Sequence, residues 1–190
     1  PFGRWDAKTM RFVEVYSSHG TSEFFGNPRP LSSASTDRNK YMQTALAQGL
    51  KFGVIGASDN HDSKPGRSIW GNYPGGLSGI WVKSLEREAV WNALWDFRVY
   101  ATSIDRIYLE FHVNGETVGS SIKAEGAVEV SAYVIGKTDN LSVELVKDNV
   151  VIRTFATTNG LVDVSVQDTP TPGEHYYYLR VVQDNGDRAW

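Results

Sequence analysis

The chain has 190 residues, which is enough for one large domain or two small ones. Its apolar content of 41% and its aromatic content of 12% are those of a globular protein, and they exclude disordered and fibrous classes. The formal net charge of -3, with both signs mixed along the sequence, predicts no nucleic-acid partner, and no apolar run is long enough to span a membrane. Cysteine is absent, so any metal site must use His, Asp and Glu side chains.

The two ends of the sequence predict that this chain is part of a longer protein. It begins at Pro1 rather than at an initiating methionine, and it ends at Trp190 without an evident terminal element. We therefore expect a missing N-terminal part to be a partner of this chain. The lack of a targeting segment leaves the compartment unassigned, with an exported or periplasmic location of the longer protein as one open alternative.

The first part of the sequence has the pattern of a βαβ unit. Residues 10–16 are rich in β-forming side chains and predict a strand, and residues 38–48 have the apolar spacing of a helix that ends at Gly49. The apolar segment 52–57 predicts a strand that is buried on both faces. A strand, a helix and a second strand in this order favour parallel pairing of the two strands.

Three polar side chains follow these two strands. His19 comes just after the first strand, and Asp59 and His61 come just after the second. The carboxyl ends of parallel strands share one edge of a sheet, which brings His19 close to the segment 59–61. Side chains at i and i+2 of extended backbone face the same way, so we expect Asp59 and His61 to converge with His19. A carboxylate with imidazoles suits a metal ion or proton transfer. The open alternatives are a turn aspartate with a surface histidine at 59–61, and a hydrogen-bonded loop histidine at 19.

Neighbouring polar residues extend the candidate site. Glu14 lies inside the first strand, where a buried carboxylate needs a partner. That partner is a metal ion, a histidine, or an arginine such as Arg29 or Arg67. Ser18 is a candidate for binding an anionic group, and Glu23 is expected to be an exposed loop residue rather than a ligand.

A glycine- and proline-rich stretch, 62–76, follows the candidate site and has the length of a lid or a binding loop. Residues 77–97 then predict a strand and a helix, and we expect Ser84 to cap that helix. Trp91 and Trp95 lie beside the apolar face of the helix. We expect both to pack into neighbouring structure, with a platform that stacks on a ligand as the open alternative.

The pattern changes to an alternation of apolar and polar residues in the second half of the chain. Short alternating strands with turns between them predict an antiparallel β-sandwich over residues 104–190, which leaves 1–103 as the other domain. His112 and His175 are expected at the surface of this sandwich. Arg106, next to the domain boundary, is a candidate for binding an anionic substrate, with a structural salt bridge as the alternative.

Several motifs together resemble a known family. The segments that carry the resemblance are EVYSSHGTSE at 14–23, ALAQG at 45–49, VIGASDNH at 54–61, GGL at 75–77, the helix 85–97, RVYAT at 98–102 and DRI at 105–107. They resemble the C-terminal part of a PHP-type (polymerase and histidinol phosphatase) domain, and more closely the bacterial branch related to the CehA/McbA metallohydrolases. The resemblance covers residues 1–115, and the β-rich tail is similar to the region after this domain in that branch.

The resemblance implies a fold and a chemistry. It implies an α/β first domain, the C-terminal portion of a distorted β/α barrel, followed by an all-β, immunoglobulin-like antiparallel sandwich. The usual activity of the family is phosphoester hydrolysis by a metal-activated water, with divalent Zn, Mn or Fe ions and a small anionic substrate. Asp59 and His61 match the last metal motif of the family, Asp-x-His. Glu14 matches a glutamate of the preceding strand, and His19 belongs to a signature of this branch.

The chain also departs from the family. The first His-x-His motif of the family, and the ligands that follow it, would lie upstream of Pro1, and no histidine precedes His19. We therefore expect this chain alone to bind metal weakly or not at all and to lack hydrolase activity. Two other functions stay open, namely hydrolysis of an amide, carbamate or peptide bond, and a non-catalytic binding or scaffold role built on the β-sandwich.

Overall fold

A computed structural model of the chain describes residues 2–31, 37–64, 67, 69–70 and 73–190. The chain forms two compact units, Pro1–Ile104 and Asp105–Trp190, called here the first and second unit. Strands dominate the described residues, and the helices are few and short. None of these helices has the length and apolar character needed to cross a membrane. The predicted lid or binding loop at 62–76 includes positions 65, 66, 68, 71 and 72, which lie outside the described residues.

Within its described residues, the first unit combines short strands with two α-helices. Its elements are a 3₁₀ turn at Phe2–Arg4, β1 (Phe12–Ser17), β2 (Gly20–Thr21), a 3₁₀ turn at Arg38–Lys40, α1 (Met42–Ala47), β3 (Gly53–Gly56), β4 (Ile69–Trp70), β5 (Tyr73–Pro74), β6 (Leu77–Ile80), α2 (Arg87–Trp95) and β7 (Val99–Thr102). β1 pairs antiparallel with β2 and parallel with β3. β4 pairs with β5, and β6 pairs with β7, both antiparallel.

The predicted parallel pairing of the two strands before the candidate site is confirmed. Phe12 lies opposite Gly53 in this pair. Val15 of β1 is fully buried, as expected for an alternating strand with one face in a core. β3 departs from the prediction, because Val54 and Ile55 are half-buried rather than fully buried.

The predicted helix at 38–48 is divided by Tyr41. This residue has an extended backbone, with ψ of 143°, between the 3₁₀ turn Arg38–Lys40 and α1. Its side chain is fully buried. Packing of the aromatic ring therefore overrides the helical spacing of the sequence at this position. Gly49 follows α1 with φ of 75° and ends the helix as predicted.

The second helix, α2, differs from its prediction at its start and on its surface. Its N-cap is Glu86, which makes no side-chain capping bond, so the predicted cap at Ser84 is wrong. Trp91 and Trp95 are 60% and 44% exposed. Their rings stack on each other with centroids 5.7 Å apart. The expectation of packing into neighbouring structure is therefore wrong for Trp91, whereas the ring of Trp95 also contacts the guanidinium of Arg11. Ala93 is the buried residue of this helix.

The second unit has the antiparallel strands expected of a β-sandwich. They are β8 (Tyr108–Val113), β9 (Glu116–Thr117), β10 (Val128–Ile135), β11 (Leu141–Lys147), β12 (Val150–Thr157), β13 (Leu161–Asp168), β14 (Tyr177–Gln183) and β15 (Arg188–Ala189). One sheet has the order β13-β10-β8-β9. Further antiparallel pairs join β12 to β11, β11 to β14 and β14 to β15. Every second residue of β10 is buried, from Val128 to Val134, because one face of this sheet lies against the core.

The two histidines of the second unit do not share one environment. His112 is half-buried on β8. The side chain of His175 is 16% exposed and contacts Asp148, so this residue lies at the surface but is partly covered.

Candidate metal centre

The chain reverses sharply at the end of β1, and the turn carries His19. β1 ends at Ser17 and β2 returns antiparallel from Gly20, so Ser18 and His19 form a two-residue turn. Gly20 has φ of 118°, and a Cβ at this position would lie 2.7 Å from the carbonyl oxygen of Pro30. Glycine is therefore required for so close a reversal, and the reversal places His19 where β1 ends.

The end of β3 is held by close contacts between backbone segments. The Ala57 N–H donates to the carbonyl oxygen of Tyr16 at 3.0 Å, which continues the parallel pairing beyond β3. The Gly76 N–H donates to the carbonyl oxygen of Ala57 at 2.7 Å, and a Cβ on Gly76 would lie 2.9 Å from the Gly56 Cα. Small residues let these segments meet, and Asp59 follows directly.

His19, Asp59 and His61 converge as predicted, but the backbone at Asp59 differs from the predicted extended conformation. Asp59 has φ of 52°, in the left-handed region that aspartate tolerates, so the predicted extended backbone at 59–61 is wrong. His19 Nε2 lies 2.9 Å from Asp59 Oδ2, and His61 Nε2 lies 3.3 Å from Asp59 Oδ1. One carboxylate thus lies between two imidazoles, and each imidazole follows the carboxyl end of one of two adjacent parallel strands.

His61 is the most accessible of the three, and its loop is closed by its neighbours. Its side chain is 71% exposed, compared with 37% for Asp59. Asn60 Nδ2 donates to the carbonyl oxygen of Arg67 at 2.8 Å, and Arg67 Nη1 donates to Asp62 Oδ2 at 2.7 Å. These two bonds flank His61 on both sides, so they define the path of the loop that carries it.

Glu14 lies within the electrostatic reach of this cluster. Burial raises the pKa of its carboxyl group, a hydrogen bond from Ser17 lowers it, the charge of Asp59 raises it, and His19 lowers it. The net pKa shift is upward, so Glu14 keeps its proton to a higher pH than an ordinary glutamate does. Arg67, one of the predicted partners of Glu14, forms its ion pair with Asp62 instead.

The other candidate residues have varied surroundings. Ser18 Oγ is buried and has no hydrogen-bond partner among the described residues. Glu23 is fully buried, against expectation, and its carbonyl oxygen accepts from the N–H of Gln43 in the first turn of α1. No local sequence pattern signals this burial, because α1 contacts Glu23 from a distant segment. Arg106 is exposed in the second unit, and its role as an anion contact stays a prediction.

The donor chemistry of the cluster fits a divalent metal, although the set is partial. Two imidazole nitrogens and a carboxylate are ligands that Zn, Mn and Fe accept. The two nitrogens contact different oxygens of Asp59, rather than facing one common point. Across the part of the chain that the structure describes, no three His, Asp or Glu side chains are grouped so that they could hold a metal ion by themselves. His19, Asp59 and His61 therefore stay candidate ligands, held close together around the Asp59 carboxylate.

A family model described as a protein of unknown function (DUF3604) matches residues 66–138. This match covers less than half of the chain. It begins after His61, so it excludes all three candidate ligands and Glu14, and it includes Arg106.

Similar proteins are found in chlamydiae. Uncharacterised proteins of Chlamydia trachomatis serovar D and Chlamydia muridarum are each 27% identical to this chain over 221 residues, which is 100% of the chain and 35% of the relative. An uncharacterised protein of Chlamydia pneumoniae is 27% identical over 211 residues, or 95% of the chain and 33% of the relative. The chain thus spans about a third of the length of these curated relatives. No solved structure matches the chain significantly.

Proposed function

We propose that this chain supplies part of the metal centre of a longer, PHP-like metal-dependent hydrolase, with phosphoesters as the favoured substrate class. One observation carries the proposal, namely that Asp59 lies between His19 Nε2 and His61 Nε2 at the carboxyl ends of β1 and β3. Enzyme sites form at this edge of parallel sheets. In the same proposal, the first unit is the C-terminal part of a distorted β/α barrel and the second is an immunoglobulin-like sandwich.

Each residue of the cluster has a role in this proposal. His19, Asp59 and His61 hold a divalent Zn, Mn or Fe ion, together with ligands from the rest of the longer protein. A metal bound there supplies Lewis-acid chemistry for ester hydrolysis. Glu14 orients His19, and the raised pKa of the Glu14 carboxyl lets it keep a proton at a pH at which free glutamate is ionised. Ser18 Oγ donates a hydrogen bond to an anionic oxygen of the substrate.

Metal analysis of the longer protein tests the ligand assignment. We expect at least one tightly held divalent ion per chain, lost in Asp59→Asn and in His61→Gln. Asp163→Asn is the matched control, because Asp163 is an exposed carboxylate on β13 in the second unit. Metal content that is unchanged in both site variants would contradict the assignment.

Hydrolysis assays then test the substrate class. We expect the longer protein to cleave chromogenic phosphate esters faster than chromogenic amides or carbamates, and we expect Asp59→Asn to abolish this activity. The isolated 190-residue chain is expected to be inactive, since its described ligand set is partial. Turnover by the isolated chain that disappears in Asp59→Ala would refute this expectation. Faster cleavage of amides than of phosphate esters would show that the substrates are amides rather than phosphoesters.

A second candidate function is a non-catalytic binding or scaffold role. It rests on the antiparallel strands of the second unit, where none of the three candidate ligands lies. If the longer protein contains no stoichiometric metal and cleaves neither class of substrate, this candidate replaces the first.

A further inference from the structure

A charged contact joins two turns at one end of the second unit. The first turn is Asp148-Asn149, between β11 and β12, and the second is the connection 169–176, between β13 and β14. The Asp148 N–H donates to the carbonyl oxygen of Tyr176 at 3.1 Å. The Tyr176 N–H donates to Asp148 Oδ1 at 3.2 Å. Asp148 therefore holds the end of this connection by both its backbone and its side chain.

His175 adds a second attachment, and both nitrogens of its ring are engaged. Nδ1 lies 2.6 Å from Asp148 Oδ2, and Nε2 lies 2.7 Å from the carbonyl oxygen of Thr171. A carboxylate and a carbonyl oxygen can only accept hydrogen bonds, so both nitrogens must donate. The Thr171 hydroxyl is farther from Nε2, at 3.5 Å. The doubly protonated imidazolium is the form that makes both short bonds.

Three other titratable groups at this end, Lys147, Asp168 and Tyr177, contact one another, and Glu174 beside His175 is exposed. Lys147 Nζ lies 2.8 Å from Asp168 Oδ2, and the Tyr177 hydroxyl donates to the same oxygen at 2.6 Å. Asp168 therefore neutralises Lys147. Burial and Asp148 raise the pKa of the Tyr176 hydroxyl to about 12, which keeps it neutral near neutral pH. Asp148 is thus the carboxylate that responds to the charge of His175.

We propose that the connection 169–176 is a pH-dependent strap, which the His175 imidazolium holds against the Asp148 turn and which loosens when His175 loses a proton. The neutral ring carries one N–H, so one of its two short bonds is lost and the opposite charge facing Asp148 disappears. The strap then keeps the two bonds that link Asp148 to the backbone of Tyr176 and one bond from the neutral ring, without its charge.

The sign of the effect depends on the environment of the ring. The bond to Asp148 raises the pKa of His175, and the Thr171 carbonyl raises it further, while burial and the charge of Lys147 lower it. A raised pKa in the folded state means that this contribution is fully present below the ordinary pKa of histidine. It is lost as the pH rises through the raised value, so the strap is closed in acid and open in mild alkali.

Amide hydrogen exchange of the full chain tests the strap. We expect the protection factor of the Tyr176 amide, corrected for intrinsic exchange, to fall about tenfold between about pH 6 and about pH 9, the size of one lost charge-assisted bond. Nitrogen-15 spectra of the His175 ring should show both nitrogens protonated at the lower pH. A constant protection factor in the wild type, or a singly protonated ring at the lower pH, would overturn the proposal.

Three variants separate the strap from general effects of pH. In His175→Gln and in Asp148→Asn, the Tyr176 amide should lose its pH dependence and be less protected at the lower pH. Asn is suited to the φ of 49° at position 148, so the second variant keeps the turn if the first fails to fold. His112→Gln is the matched control and should keep the tenfold fall. The same fall in Asp148→Asn as in the wild type would also overturn the proposal.

Discussion

A single methyl group at Gly56 should disturb the whole candidate site, because backbone atoms surround this position. Gly56 is the last residue of β3, three residues before Asp59. A Cβ at Gly56 would lie 2.6 Å from the carbonyl oxygen of Leu77, 2.8 Å from that of Thr102 and 3.0 Å from the Leu77 nitrogen. Backbone atoms cannot rotate away as side chains do, so β3 must move from the antiparallel pair of β6 and β7. Forced overpacking of this kind costs about 1–3 kcal/mol.

The expected result for Gly56→Ala is a free energy of unfolding that is lower by about 2 kcal/mol, near the middle of the range for overpacked sites. Urea unfolding followed by tryptophan fluorescence measures it. Five of the six tryptophans precede residue 104, so the signal reports mainly on the first unit. Gly3→Ala is the matched control, because a Cβ at Gly3 would meet nothing within 4 Å. That variant should stay within about 0.5 kcal/mol of the wild type.

The same variant should also change the candidate site. Movement of β3 displaces Asp59, so the ring resonances of His19 and His61 should shift in Gly56→Ala and stay constant in Gly3→Ala. A free energy of unfolding within about 0.5 kcal/mol of the wild type, with unchanged histidine resonances, would refute the close contact of β3 with β6 and β7.

Three further predictions concern paired polar side chains. Arg11→Gln should lower the free energy of unfolding by about 1–2 kcal/mol in urea, because the guanidinium donates to the carbonyl oxygen of Trp95 and lies over its ring. Gln183→Leu should cost about 2–3 kcal/mol in thermal unfolding, because this buried amide accepts from a backbone N–H and donates to a carboxylate. Lys147→Met should move acid unfolding, followed by circular dichroism, to higher pH. Burial raises the pKa of the Asp168 carboxyl, but hydrogen bonds from Lys147 and Tyr177 lower this pKa by more. The ionised Asp168 therefore stabilises the fold until the pH falls through its lowered pKa. Without Lys147 that pKa is higher, so the stabilisation is lost at a higher pH.

Exposed positions provide controls for these three variants. They are Arg4→Gln, Gln167→Leu and Lys123→Met, and each should stay within about 0.5 kcal/mol of the wild type. The Arg11 contact is contradicted if its variant behaves like Arg4→Gln. If Gln183→Leu changes stability as little as Gln167→Leu does, the backbone N–H and the carboxylate that contact Gln183 must form hydrogen bonds to water in the variant. For Lys147→Met, an acid midpoint at or below that of the wild type is the contradictory result.

The parts of the fold that the sequence predicted are those with a local, repeating signal. The alternation of valines in β10 directs one face to a core whatever lies on the other side. The order of strand, helix and strand likewise favoured the parallel pair of β1 and β3. Convergence of His19, Asp59 and His61 was predicted from that pairing, because the carboxyl ends of adjacent parallel strands share one edge.

The predictions that proved wrong depended on contacts between distant segments. Tyr41 interrupts a helical pattern because its ring is buried, and Glu23 is buried because α1 covers its backbone. Trp91 is exposed although its spacing suggested packing. In each case, exposure depends on which segment folds against the residue, and sequence spacing does not specify it.

The sequence by itself thus determined which side chains reach the edge of the parallel strands, since pairing direction and strand ends are local properties. Tertiary structure decided how those side chains meet. The left-handed backbone of Asp59 and the close backbone contacts of Gly56 and Gly76 set the distances around one carboxylate. Burial beside Asp59 and His19 decided the direction of the Glu14 pKa, because solvation and neighbouring charge depend on residues far apart in the chain.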